Sequence, residues 1–171
     1  MRNAALRLIV FWAGMVTLGV ELAASRLLAP FFGTSTLIWA VLIGLILIYL
    51  SFGYWIGGRW ADRSPLFGTL ISVTSAAAVL IGVIPLIAAP VLTLSVQGFA
   101  DYNGGLLGGS LIGVLALFTL PMVLLGCVSP FALRLSLDDV QSSGRMAGQL
   151  YALSTLGSFV GTFIPVLWLI P

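Results

Sequence analysis

An all-α, polytopic transmembrane helix bundle is the fold class this sequence predicts, and three observations predict it. Sixty per cent of the 171 residues are hydrophobic and 7% are charged, against roughly a quarter charged in ordinary soluble domains. A soluble fold of this size has nowhere to hide that much apolar surface, so lipid is the solvent that fits. Apolar runs of the length a bilayer demands, about 20 residues, recur along the chain, and the arginines fall in alternate connections between them.

The runs define about five spans in a single domain: Leu6 to Ala29, Thr36 to Gly57, Pro65 to Thr93, Leu106 to Leu133 and Ala147 to Ile170. Arg2 and Arg7 followed by the apolar stretch Leu8 to Val20 resemble a signal peptide, but Leu22-Ala23-Ala24 is a poor cleavage site and apolar residues resume after it, so the segment reads as a retained helix. Pro30 is expected to end it. Pro85 and Pro90 interrupt the third span, Pro121 and Pro130 the fourth, and the expected consequence is kinks whose freed carbonyls face the bundle interior. The fifth span reaches the end of the sequence without a polar tail. That pattern is expected of the N-terminal piece of a longer protein, or of a small subunit whose last helix docks on a partner.

Arginine placement sets the orientation. Arg2, Arg7, Arg59, Arg63, Arg134 and Arg145 share one side if the helices alternate, while the connections Phe31 to Ser35 and Ser95 to Gly105 have none. The positive-inside rule then puts the N-terminus in the cytoplasm and the chain in the cell (inner) membrane as a multi-pass protein. Trp12, Trp39, Trp55, Trp60 and Trp168 lie mostly near span ends, as interfacial anchors do. Between the second and third spans, Gly58, Asp62 and Arg63 belong to a short cytoplasmic hinge. There Ser64 is expected to cap the next helix, with Pro65 in its first turn, Asp62 just ahead of it, and the arginines within reach of lipid phosphates. Asp138 and Asp139 form a mixed-charge loop, open to solvent or to a docking partner.

Composition also removes function classes. The net charge of +2 is spread out and gives no nucleic-acid footprint. With no histidine, no lysine and one cysteine, Cys127, the chain lacks the parts for an imidazole base, a Schiff base, a Walker A loop or a Cys/His zinc site. No metal, cofactor or catalytic residue is assigned. Glycines at four-residue spacing, Gly53 and Gly57, Gly104 and Gly108, Gly105 and Gly109, Gly109 and Gly113, Gly157 and Gly161, read as close helix packing rather than a phosphate loop, because the G-x-G-x-x-G spacing and its preceding strand are missing.

Glu21 is the most informative residue. It lies about 20 Å along the first helix from Leu8 at 1.5 Å per residue, where a carboxylate costs about 3 kcal/mol on insertion scales. Gly14, Thr17, Glu21 and Ser25 share a helical face, which must point into protein or water. Arg26 is an imperfect partner, about 140° around and about 7.5 Å along, better placed to bond another helix or to snorkel. Two readings stay open: a protonated Glu21 that bonds across helices, or a site. On the fifth helix Gly148, Tyr151, Thr155, Ser158 and Thr162 make a second polar stripe, and the second helix adds Gly44, Ser51 and Gly58, with Tyr54 nearby. Such groups are interhelical glue, worth about 0.6 kcal/mol each, or the lining of a ligand path. The candidate intramembrane ligand site is therefore Glu21, Arg26, Thr17, Ser25, Tyr151, Thr155 and Ser158.

Four stretches carry a resemblance: Gly19-Val20-Glu21-Leu22-Ala23-Ala24-Ser25-Arg26 on through Pro30 to Gly33; Gly53-Tyr54 with Gly57-Gly58-Arg59 and Ala61-Asp62-Arg63-Ser64-Pro65; Pro121 through Gly126 with Ser129-Pro130; and Gly144-Arg145 and Gly148 with Leu150 to Ser158, then Gly161-Thr162. Together they resemble the membrane domain of bacterial fused transporter-like/spermidine synthase proteins, over nearly the whole chain. Gly58 to Arg63 is also similar to the G-x-x-x-D-R core of the major facilitator signature, from whose continuation Ser64 and Pro65 depart. The resemblance implies polyamine metabolism, with a cytoplasmic aminopropyltransferase domain that binds decarboxylated S-adenosylmethionine and putrescine as partner. This chain has neither a Rossmann-like glycine loop after a strand nor an acidic substrate cluster, so it is expected not to be an enzyme itself. The resemblance directs attention to Glu21, Arg26, Asp62 and Arg63. The expected roles are a module that anchors or serves polyamine metabolism, a half-transporter for a small cationic metabolite, or a structural subunit. The lipid bilayer is the certain partner, with further transmembrane helices or a second copy as the others.

Overall fold

A computed structural model describes residues 2–99, 105–137 and 143–169. Gly104, Asp138 and Asp139 lie outside the described residues. The described residues form five long helices, α1 (Arg2–Phe32), α2 (Thr36–Arg63), α3 (Phe67–Phe99), α4 (Gly105–Ser136) and α5 (Ser143–Ile164), and α5 runs into a π-helical turn, Pro165–Leu169. All five are long and apolar enough to cross a membrane. The chain is an integral, multi-pass membrane protein.

Glycine seams bring three helix pairs into backbone contact, because lipid tails are as apolar as leucine and close approach adds attraction, and larger apolar side chains fill the space between them. A Cβ built on Gly53 would lie 2.7 Å from the Gly126 Cα, and one on Gly57 2.6 Å from the Cys127 Cα. The α2 and α4 backbones therefore touch. In α5, Gly157 and Gly161 sit directly on the backbone of Phe11 and Met15 in α1. Gly109 and Gly113 make the α3–α4 seam, against Ser95 and Leu92. Residue numbers rise together along the α2–α4 and α1–α5 seams and run oppositely along α3–α4, so consecutive helices alternate in direction. Arg7, Arg59, Arg63, Arg134 and Arg145 thus share one end of the bundle. The helix α4 is the spine: 56% of its most apolar window is buried, against 22–28% in the other four.

Helix ends correct several sequence expectations. The helix α1 does not stop at Pro30. A proline there removes only the bond to the Arg26 carbonyl, and the helix continues to Phe32, where Gly33 at φ +77° takes the left-handed position and donates to the Ala29 carbonyl at 2.9 Å. The Ser35 side chain accepts from the Ile38 N–H to start α2. The hinge expected at Gly58, Asp62 and Arg63 is instead the last turns of α2, which carry on to Arg63, because Ala61 buries in the cluster around Phe131 of α4 and Trp60 packs edge-on against the same ring. Ser64 closes α2, its N–H donating to the Trp60 carbonyl at 2.9 Å, and does not cap α3, which begins at Phe67. Asp62 consequently lies inside α2, not ahead of a helix. Ser95 to Phe99, expected in a loop, extends α3.

The prolines do not break α3 or α4. Pro165 does change the helix. It cannot donate to the Gly161 carbonyl, and the chain re-forms its ladder as a π turn. The Gly161 carbonyl oxygen lies against Gly19, 3.5 Å from where a Cβ would be.

Candidate functional site

The register between α1 and α5 separates the sequence-predicted residues into two places. Gly14 is level with Ser154 and Ser158, and Met15 with Gly161. Tyr151 and Glu21 are therefore about 20 Å apart along the bundle at 1.5 Å per residue.

Toward the arginine-bearing end, a gap separates α2 from α5. They do not touch through their backbones among the described residues, and α4 floors the gap. The resulting cleft, about 490 Å³, is lined by Tyr54 of α2, Ser129, Pro130 and Leu133 of α4, and Tyr151, Ser154 and Thr155 of α5. Tyr54 and Tyr151 line this cleft from α2 and α5 respectively. Thr155 spends its proton on its own helix, donating to the Tyr151 carbonyl at 2.9 Å, which leaves its oxygen lone pairs toward the cleft. Asp62 and Arg134 form an exposed ion pair, 3.3 Å apart, one residue beyond Leu133. Sequence reasoning found Tyr151 and Thr155 and noted Tyr54. It missed Ser129 and Ser154, whose signal was the Ser129-Pro130 pair and the three-residue step from Tyr151 to Ser154. Ser158 is not part of the cleft. Its hydroxyl donates to the Gly14 carbonyl at 3.2 Å and ties α5 to α1.

Glu21 lies beyond the middle of α1. Val10, Gly14, Glu21 and Leu28 fall within about 40° on the helical wheel, and Val10, Gly14 and Leu28 are buried while Glu21 is half-buried. The carboxylate is thus on the inward stripe, beside Val20 and Ala24 of the apolar core. It makes no hydrogen bond or ion pair with any described residue. The neighbouring hydroxyls do not serve it. Thr17 donates to the Ala13 carbonyl at 2.8 Å and Ser25 to the Leu22 carbonyl at 2.7 Å. Arg26 is exposed and unpaired among the described residues, on the other side of α1 as its rotation requires.

One buried polar atom was not anticipated: the Tyr49 hydroxyl on α2. It is enclosed beside Thr119 of α4 but outside hydrogen-bond geometry with it. Among the described residues no three Cys, Asp or Glu side chains come together as a metal site, and Cys127 is buried in the α2–α4 seam. No family model, curated protein or solved structure matches the chain.

Proposed function

We propose that this chain is the membrane module of a polyamine-handling system, without a catalytic centre of its own, which anchors aminopropyltransferase chemistry at the inner membrane and offers Glu21 to a cationic amine. The observation that carries the reading is the unpartnered Glu21 carboxylate on an inward helical stripe. A carboxylate at that depth costs about 3 kcal/mol, and a structural role would have matched it with Arg26, Thr17 or Ser25, all of which point elsewhere or bond their own helix. A protonated amine supplies the missing counter-charge and the donors. The sequence stretches around Glu21 and Asp62 that resemble fused spermidine synthases support the same ligand class.

Spermidine binding to the purified protein in lipid nanodiscs tests this. Wild type binds, and Glu21→Gln, which keeps shape and removes charge, weakens binding about tenfold or more, as loss of a charge-assisted hydrogen bond of about 1.5–3 kcal/mol requires. Equal binding by both proteins, with unchanged helix content, would overturn the ligand role. A half-transporter reading is favoured by the α2–α5 cleft, a hydroxyl-lined opening at one end of the bundle. It predicts uptake of labelled spermidine into proteoliposomes, and a flat uptake curve beside intact binding leaves the anchoring module.

A further inference from the structure

The outer face of α2 carries a second built arrangement, independent of any amine site. Leu47, Ile48, Ser51, Phe52 and Trp55 line a shallow apolar groove of about 400 Å³. It lies opposite the Gly53–Gly57 stripe that packs on α4, so it faces away from the bundle. At its arginine-bearing end the Arg59 guanidinium lies 3.8 Å over the Trp55 ring. A guanidinium carries five N–H donors, so its contact with the Trp55 ring leaves donors over for a phosphate. Arg59 has no carboxylate partner among the described residues, since Asp62 pairs with Arg134. Arg63 follows one turn later.

We propose that this face is a seat for one anionic phospholipid, an acyl chain along Leu47 to Trp55 and the phosphate on Arg59. Length supports this occupant. From Leu47 to Arg59 is about 18 Å of helix, close to the half-thickness of about 15 Å that one leaflet spans. Charge supports it as well: the cation sits where the headgroup layer begins, already desolvated on one face by Trp55, and a zwitterionic headgroup answers it less strongly than a net anion. A packed protein helix would meet an unpaired guanidinium at the same point.

Native mass spectrometry of the purified protein, titrated with phosphatidylglycerol and phosphatidylcholine of identical chains, reads the seat directly. Wild type retains phosphatidylglycerol in preference to phosphatidylcholine by about fivefold, the weight of one arginine at an anionic surface. Arg59→Gln abolishes the preference. Ser51→Phe leaves Arg59 in place but fills the groove, and it lowers retention of both lipids; because position 51 is exposed, this variant folds even if Arg59→Gln does not. No preference in wild type, or a preference unchanged in both variants, overturns the assignment. Spermidine binding is expected to be unchanged in Ser51→Phe, which keeps this result separate from the amine site.

Discussion

Replacing Gly126 by alanine drives a methyl into the backbone of α2, and the cost follows from the geometry. The new Cβ would sit 2.7 Å from the Leu50 carbonyl oxygen and 2.9 Å from the Gly53 Cα. Carbon contacts are comfortable at about 3.5–4.0 Å, so α2 and α4 must separate by up to about 1 Å, which forfeits a quarter to a half of each contact's well. With roughly 30 atom pairs around the seam at about 0.1–0.2 kcal/mol each, the loss is about 1–3 kcal/mol, the range that overpacking produces elsewhere. Gly44 is the control, in the same bundle on α2, with nothing within 4 Å of where a methyl would lie. There alanine removes a flexible residue and gains up to about 1 kcal/mol. Reversible unfolding in mixed micelles with rising dodecyl sulfate, followed by circular dichroism, should separate Gly126→Ala from Gly44→Ala by about 1–4 kcal/mol. Gly53→Ala presses on the same contact from the other side, so the double variant should be less destabilised than the sum by about 0.5 kcal/mol or more. Equal stabilities for Gly126→Ala and Gly44→Ala would refute the claim that backbone proximity holds this bundle together.

Other substitutions separate bonds that join helices from bonds that do not. Ser158→Ala, which deletes the link to the Gly14 carbonyl, should cost about 0.6 kcal/mol in the same assay, whereas Thr155→Ala, whose hydroxyl bonds its own helix, should leave stability unchanged. Tyr49→Phe removes a buried hydroxyl that has no partner, so the protein should be as stable as wild type or more stable by about 1 kcal/mol; a clear loss would reveal a bond to that hydroxyl. Asp62→Asn breaks an ion pair whose side chains are 47% and 74% exposed and should shift stability by less than about 1 kcal/mol.

Hydropathy made the five spans legible, because a bilayer imposes one length on every crossing. Glycine spacing made the seams legible, since Gly53, Gly57, Gly157 and Gly161 are read the same way from sequence and from contacts. Helix ends were legible only in part. Pro30 looks like a stop, yet near a C-terminus it removes one bond, and the stop is Gly33, which can take positive φ. Ser64-Pro65 looks like a helix start, but the packing of Trp60 and Ala61 on Phe131 keeps α2 helical to Arg63, and the next helix starts at Phe67. The grouping of polar residues was the least legible. Shared faces within one helix are visible in sequence, whereas the axial offset between α1 and α5 is set by which glycine meets which carbonyl. That offset places Tyr151 and Thr155 with Tyr54 and Ser129, about 20 Å from Glu21.

The seams also divide the bundle mechanically. The helices α2, α3 and α4 are held together by glycine seams on α4, and α1 and α5 are joined backbone to backbone. Between these two units the contacts, chiefly α1 with α4, are lighter and made by larger side chains. Glu21 lies on the α1 stripe that carries Val10 and Leu28, which pack into clusters with α2, α3 and α4 residues, and the tyrosine cleft has walls from both units. Each polar site therefore lies on the boundary, where side chains can shift without opening a glycine seam. A substitution in a seam acts on whether the protein folds; one on the boundary acts on what it holds. Glu21→Gln and Gly126→Ala are the matched pair that keeps those two effects apart.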